Sequence, residues 1–322
     1  MLIPVLLFLV GLACLIKGGD WFVDGAVGIA HRFHMPELLI GATVVSIGTT
    51  LPEVMVSAQA ALEHNSGISY GNAIGSVICN TSLIAALTIA IRPSGVDKKT
   101  LRFPVAAFFL SAGIYAGIAY TTGRFQRVHG LLFLAMFLAY IIINVIQMKR
   151  SPAPDTVTEE TSETEKPIWA DIGLLALGAV LIAVGAKLLV DNGTLIAEAL
   201  GVPSSVIGLT MVALGTSLPE LVTAITALAK GHSALSLGNI IGANIFNLIL
   251  VSGTAITISP FAIPVEKTIA GMNASLVVDI PVMLSVMAIL TLPPLATGKL
   301  KRWQGILLLC IYVGFTAFQF IH

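Results

Sequence analysis

Ten long apolar runs, separated by short polar interruptions, follow one another along the chain, at approximately 2–30, 37–62, 69–91, 103–121, 127–148, 168–198, 203–229, 234–259, 270–293 and 301–320. A helix needs about 20 apolar residues to cross a hydrocarbon core of about 30 Å, and each run is near that length or longer. β-Barrel strands would be short segments of alternating polarity, which these are not. The pattern predicts an all-α, polytopic membrane protein of ten transmembrane helices. The one long polar stretch, Lys149 to Lys166, is rich in Pro, Thr and Glu and reads as a flexible cytoplasmic linker over 149–167. It lacks the ligand spacing of an EF-hand calcium loop.

Composition narrows the class. The 322 residues are 56% hydrophobic and 11% charged, with mean hydropathy +0.95. A soluble domain carries roughly a quarter charged residues, so a soluble chain is excluded, as are disordered and collagen-like ones. With 17 Lys+Arg against 17 Asp+Glu, no basic excess argues for nucleic acid. Cys14, Cys79 and Cys310 fall inside apolar runs without disulfide or zinc spacing and are expected to be small buried hydrophobes. The six histidines lie in or near predicted loops or at the C-terminus. No Lys or Arg precedes the N-terminal apolar run, which continues past Cys14, so it reads as a first span and not a signal peptide.

Positive charge orients the spans. Loops 1–2, 3–4, 5–6, 7–8 and 9–10 with their flanks hold twelve Lys and Arg residues, and the opposite loops hold only Arg124, Arg127 and Lys267. The positive-inside rule puts the first set in the cytoplasm and both termini outside a plasma (inner) membrane.

The chain also matches itself. Shifted by 167 residues, the segment from Gly41 to Asn80 lies without a gap over Gly208 to Asn247. The same offset pairs Gly18 with Gly185, Asp24 with Asp191, Glu53 with Glu220, Asn72 with Asn239 and Asn80 with Asn247. Each half then holds five spans, 1–148 and 168–322. An odd number sends the second half into the membrane from the opposite side, giving two inverted five-helix repeats, an architecture of secondary transporters.

Both halves carry a proline and a carboxylate in mid-span: Gly48-Thr49-Thr50-Leu51-Pro52-Glu53 and Gly215-Thr216-Ser217-Leu218-Pro219-Glu220. Proline removes a backbone donor and loosens the helix, freeing carbonyls beside Thr and Ser hydroxyls. Spans 2 and 7 are therefore expected to be broken helices, a geometry tolerated at depth only where it is buried in protein or lines a polar cavity. Ionised carboxylates there are functional candidates unless cations offset them, and neither span holds Lys or Arg. Spans 3 and 8 add Ser76, Asn80 and Asn247, with Ser76 and Asn80 on one helix face. An oxygen shell drawn from Glu53, Glu220, Thr49, Thr216, Asn80, Asn247, Ser76 and the carbonyls of Ser46 and Ala213 suits calcium or sodium. Two carboxylates balance one calcium ion or most of the charge of two or three sodium ions. Ions that need the same carboxylates exclude each other, which is the condition for exchange. The remaining intramembrane charges, Lys17, Asp20, Asp24, Lys187 and Asp191, are expected to pair or reach the interface.

The paired sequences GTTLPE and GTSLPE, followed by GNAIGS and GNIIGA, closely resemble the two α-repeats of the calcium/cation antiporter superfamily, and over its whole length the chain is similar to prokaryotic sodium/calcium exchangers. That resemblance implies that Glu53 and Glu220 are central ion-binding carboxylates. It implies oxygens from Thr49, Thr50, Thr216 and Ser217, carbonyls from Ser46 and Ala213, and completion of the set by Ser76 and Asn80. It further implies that spans 1 and 6 slide across the other eight. Two positions depart from the pattern: Ala243 stands where a characterised archaeal relative has serine, and Asn247 where it has aspartate. The site then has two carboxylates in place of three, which weakens any case for potassium co-transport.

The function expected is a calcium/sodium antiporter working by alternating access, with calcium and sodium as transported ions, the lipid bilayer as surroundings, no cofactor and no enzymatic activity. Proton/calcium (or other divalent cation) exchange on the same glutamates is the alternative. An intramembrane enzyme would need a nucleophile or a second catalytic partner that the sequence lacks, and a passive channel would need no alternation.

Overall fold

Helices account for nearly all of residues 2–33, 35–150, 167–200, 213–265, 268–269 and 271–321, which the computed structural model describes. In chain order they are α1 (Leu2–Arg32), α2 (Glu37–Leu62), α3 (Ser66–Ile91), α4 (Lys98–Thr122) and α5 (Arg127–Arg150). The second half holds α6 (Ile168–Ala199), α7 (Leu218–Ala229, after the single turn Ala213–Thr216), α8 (Ser233–Ile258), α9 (Ser275–Thr297) and α10 (Arg302–Ile321). Eight of the described helices are long and apolar enough to cross a bilayer by length and composition, and α7 is a shorter apolar one. The expected linker residues 151–166 and the first part of the expected seventh span, 203–212, lie outside the described residues.

The ends follow local chemistry. Asp97 caps α4, accepting hydrogen bonds from the backbone N–H groups of Lys99 (3.1 Å) and Thr100 (3.2 Å). α4 and α9 stop at Gly123 (φ 64°) and Gly298 (φ 73°), left-handed residues that glycine adopts without steric cost. The span expected from residue 270 starts later, at Ser275, because a hairpin of β1 (Thr268–Ile269) and β2 (Met272–Asn273) precedes it.

Successive helices cross in alternate directions, so the loops fall on two faces. On the face where α5 ends and α6 begins, called the linker face, Val96 N–H donates to the Gly298 carbonyl (2.9 Å) and Leu300 N–H to Ser94 (2.9 Å). On the face holding the termini, Phe125 N–H donates to Phe261 (2.7 Å) and Ile263 N–H to Gly123 (2.9 Å). Among the described residues, the Lys- and Arg-bearing loops 1–2, 3–4, 7–8 and 9–10 belong to the linker face.

The halves are built into each other. α8 is the most enclosed helix, whereas α1, α5 and α6 expose most of their surface. Gly238 and Gly242 of α8 lie so close to α2 that a Cβ on either would meet the backbone of Leu38 or Ala42. α1 and α6 form a separate close pair. A Cβ on Gly18 would come 2.9 Å from the Ile182 nitrogen, one on Gly11 2.9 Å from the Gly185 carbonyl, and one on Gly185 2.8 Å from the Gly11 carbonyl. The 167-residue offset relates Gly18 to Gly185 and Gly11 to Gly178, whose Cβ would lie 2.8 Å from the Gly18 carbonyl, so each repeat meets its own image at the crossing.

Candidate ion-binding site

Regular helix gives way where the sequence places its candidate ligands. α3 turns π-helical over Asn80–Ala85 and α8 over Asn247–Val251, so the two symmetry-related asparagines open equivalent irregular segments. Such π-segments concentrate at functional sites because they widen the helix and displace a carbonyl. In the second half the helix breaks at Ser217, between Ala213–Thr216 and α7. In the first half the irregularity is a π-helical segment, Gly41–Val45, and helix continues from Ser46 through Pro52 to Leu62. Each proline has no N–H for the carbonyl four residues earlier, so the freed oxygens belong to Gly48 and Gly215.

Glu53 and Glu220 are both completely buried, and they are electrostatic neighbours. The Thr49 and Thr50 hydroxyls lie beside Glu220, across the boundary between the repeats. Cys79 neighbours Ser217 and both glutamates. The asparagine turns cross over in the same way: the Asn80 segment packs against α7, and the Asn247 segment against α2.

The polar atoms gathered there have few partners. Both oxygens of Glu53 and of Glu220, both side-chain polar atoms of Asn80 and of Asn247, and the hydroxyls of Thr50 and Ser217 are buried and close no hydrogen bond of acceptable geometry. Leaving a buried polar group unpaired costs about 1–3 kcal/mol, and more for a charge. Unpaired atoms concentrated in one place therefore mark a position built for a charged guest. Ser76 is buried one turn before Asn80, and Thr216 is half-buried. Ala213 heads the short turn that ends at the Ser217 break. Ser46, expected to offer its carbonyl, uses its hydroxyl to donate to the carbonyls of Gly41 (2.7 Å) and Asn239 (2.9 Å), which ties α2 to α8. Among the described residues no three His, Cys, Asp and Glu side chains form a metal cluster. The set is two carboxylates with amide, hydroxyl and carbonyl oxygens, the hard donors that calcium and sodium take.

Two positioning residues carry no role in the sequence reading. Asn239 accepts from the Thr49 hydroxyl (3.2 Å). Its counterpart Asn72 donates to the Glu53 carbonyl (3.0 Å) and to the Ser57 hydroxyl (2.8 Å). Their pairing by the repeat was the available signal. The cysteine expectation holds for Cys79, which is buried, but Cys310 is exposed because α10 turns that face outward. The span-end charges pair as expected in kind: Lys187 with Asp191 (2.9 Å), and Asp20 and Asp24 with Lys230. Lys17 lies over the Trp21 ring, 5.4 Å from its centroid.

A cavity of about 550 Å³ separates α6 from α2 and α7 and is lined by Thr49, Pro52, Met55, Lys187 and Thr216 among others. Two of the candidate ligands, Thr49 and Thr216, face it.

A buried oxygen site at the meeting point of two inverted repeats defines an integral-membrane cation carrier. Comparison with known proteins gives the family. The sequence profile described as "Sodium/calcium exchanger protein" matches residues 3–146 and 170–321. The chain belongs to that family and is a multi-pass membrane cation antiporter. It is 33% identical to the sodium/calcium exchanger MaX1 of Methanosarcina acetivorans over 350 residues, 98% of each chain. It is 36% identical to an uncharacterised membrane protein of Methanocaldococcus jannaschii, covering 95% of this chain and 94% of that one. Its fold matches that of the sodium-calcium exchanger NCX_Mj soaked with sodium and strontium ions, with TM-score 0.82, 34% identity and 97% of both chains covered.

Proposed function

We propose that this protein exchanges calcium for sodium across the plasma (inner) membrane by alternating access, with both ions using Glu53 and Glu220. The observation that carries the reading is the pair of neighbouring, fully buried glutamates whose oxygens have no hydrogen-bond partner, with the equally unpartnered Asn80 and Asn247 on segments packed against α7 and α2. Two ionised carboxylates in a buried site repel each other and need a cation to offset the cost of burial. One calcium ion supplies that charge, and so do two sodium ions, but the two loads together overcompensate it. Each then leaves before the other is held. Thr49, Thr50, Thr216, Ser217, Ser76, Asn80, Asn247 and the backbone carbonyls near residues 46–48 and 213–215 supply the neutral oxygens. The Lys- and Arg-rich linker face is cytoplasmic and the termini lie outside, in keeping with the positive-inside rule.

The test is calcium uptake into everted membrane vesicles under sodium and proton gradients imposed separately. A sodium gradient is expected to drive uptake, and Glu53→Gln and Glu220→Gln are each expected to reduce it to background while the protein still reaches the membrane. Uptake that ignores sodium and follows a pH gradient would overturn the sodium assignment in favour of proton/calcium exchange on the same glutamates.

A further inference from the structure

The two faces of the protein are fastened unequally. On the linker face, the Lys230 ammonium lies 2.7 Å from the Asp24 carboxylate and 3.4 Å from that of Asp20, and it also donates to the Asp20 carbonyl (3.1 Å). Next to it α1 packs directly on α7: a Cβ on Gly19 would lie 2.7 Å from the Thr226 hydroxyl and 2.8 Å from Val222 Cγ1. Arg32 with Asp171 (3.4 Å) and His232 with Glu37 (2.8 Å) close the same face. Among the described residues, every ion pair between different helices is on this side.

The 167-residue offset identifies the matching set on the terminal face. Asp20 corresponds to Lys187, Lys230 to Glu63, Gly19 to Ala186, Val222 to Met55 and Thr226 to Gln59. There the contacts are open. Ala186, Lys187 and Met55 line the 550 Å³ cavity, and Met55 is 71% exposed. Among the described residues Lys187 pairs only within its own helix, with Asp191, and its side chain is 76% exposed. Glu63 accepts from Gln59 (2.6 Å), four residues back on α2. Val56, Gln59 and Glu63 recur at helical spacing, which places Glu63 on the α2 face that borders the cavity. Closing the cavity as the other face is closed brings Lys187 to Glu63. That pair has the opposite polarity to Asp20 with Lys230, and it is equally complementary.

We propose that these are alternating latches. Lys230 with Asp20 and Asp24 holds the linker face shut in the state seen here, and Glu63 with Lys187 holds the terminal face shut in the opposite state. The proposal rests on the alternating-access part of the reading above and adds the residues that set its balance. Partly exposed ion pairs are individually weak, so either latch opens without a large barrier.

A carbodiimide joins a carboxylate to an amine as an amide only where the two touch, so it reports each latch in the purified, lipid-reconstituted full chain. Mass spectrometry of wild-type digests is expected to find both Lys230 linked to Asp20 or Asp24 and Lys187 linked to Glu63. Lys230→Gln is expected to raise the Lys187–Glu63 product by about two- to fivefold, the population shift that loss of an exposed pair gives. In transport, Glu63→Lys and Lys187→Glu are each expected to slow flux, and the double reversal to restore it. Absence of the Lys187–Glu63 product, its indifference to Lys230→Gln, or failure of the double reversal would overturn the latch. Cross-linking needs no ion gradient, so a latch failure is distinct from a failure of sodium-driven exchange in wild-type vesicles.

Discussion

At the level of single side chains, Glu53 and Glu220 owe their importance to what surrounds them. Their neighbours are hydroxyls, amides and a thiol, and α2 and α7 carry no Lys or Arg beside them. Among the described residues the ion pairs are Arg32 with Asp171, Lys187 with Asp191, Lys230 with Asp20 and Asp24, and His232 with Glu37, none of which includes either glutamate. Asn247 is the informative position, because an aspartate there would add a third carboxylate to the same wall. Asn247→Asp is expected to lower the KM for calcium several-fold, since a further charge a few ångströms away in a dry site acts strongly on a divalent ion. Calcium-dependent uptake at varied calcium measures it, and an unchanged KM would place Asn247 outside reach of the ion. Both glutamates were legible in the sequence, because a carboxylate in an apolar span has no bland explanation when it appears twice. Asn239 and Asn72 were not, because only the tertiary contact of α8 with α2, and of α3 with α2, gives them partners.

Among the elements, local signals set most boundaries. Partial burial pushes the Asp97 carboxyl up, but the Lys99 N–H, the Thr100 hydroxyl and N–H, and the Lys99 charge together hold it below the usual carboxylate range. A depressed carboxyl contributes stability at pH values above its unfolded-state pKa and loses it as pH falls through the lower, folded one. The α4 cap is therefore intact at neutral pH and lost only in acid. Asp97→Ala is expected to cost about 1 kcal/mol at pH 7, and less at a pH below the folded value, by thermal unfolding in detergent. The mid-span irregularities were only half legible. Proline announced the loosening of both helices, yet helix breaks at Ser217 in the second half and runs unbroken through the matching Thr50 in the first.

For the whole molecule, the glycine motifs make the point. In sequence Gly71 and Gly75 match Gly238 and Gly242, and packing alone could explain both pairs. Gly238 and Gly242 hold α8 against the backbone of Leu38 and Ala42 in α2, at the junction of the repeats. The residues that match Leu38 and Ala42 by the offset, 205 and 209, lie outside the described residues. Gly238→Ala and Gly242→Ala are expected to destabilise by about 1–3 kcal/mol through overpacking. Melting temperatures of the two purified variants check it.

By itself the sequence determined the membrane class, the ten spans, the inverted repeat and the two buried glutamates. Those follow from rules that act on each stretch of chain separately: apolar length against bilayer thickness, charge bias in loops, and the cost of a carboxylate at depth. Only the tertiary structure decided which face is latched, how closely α8 lies on α2 and which asparagine bonds to which residue of α2. Rules of that kind act on each half separately and do not say how the two pack on each other. That comes from α1 lying on α7 while a cavity separates α6 from α2.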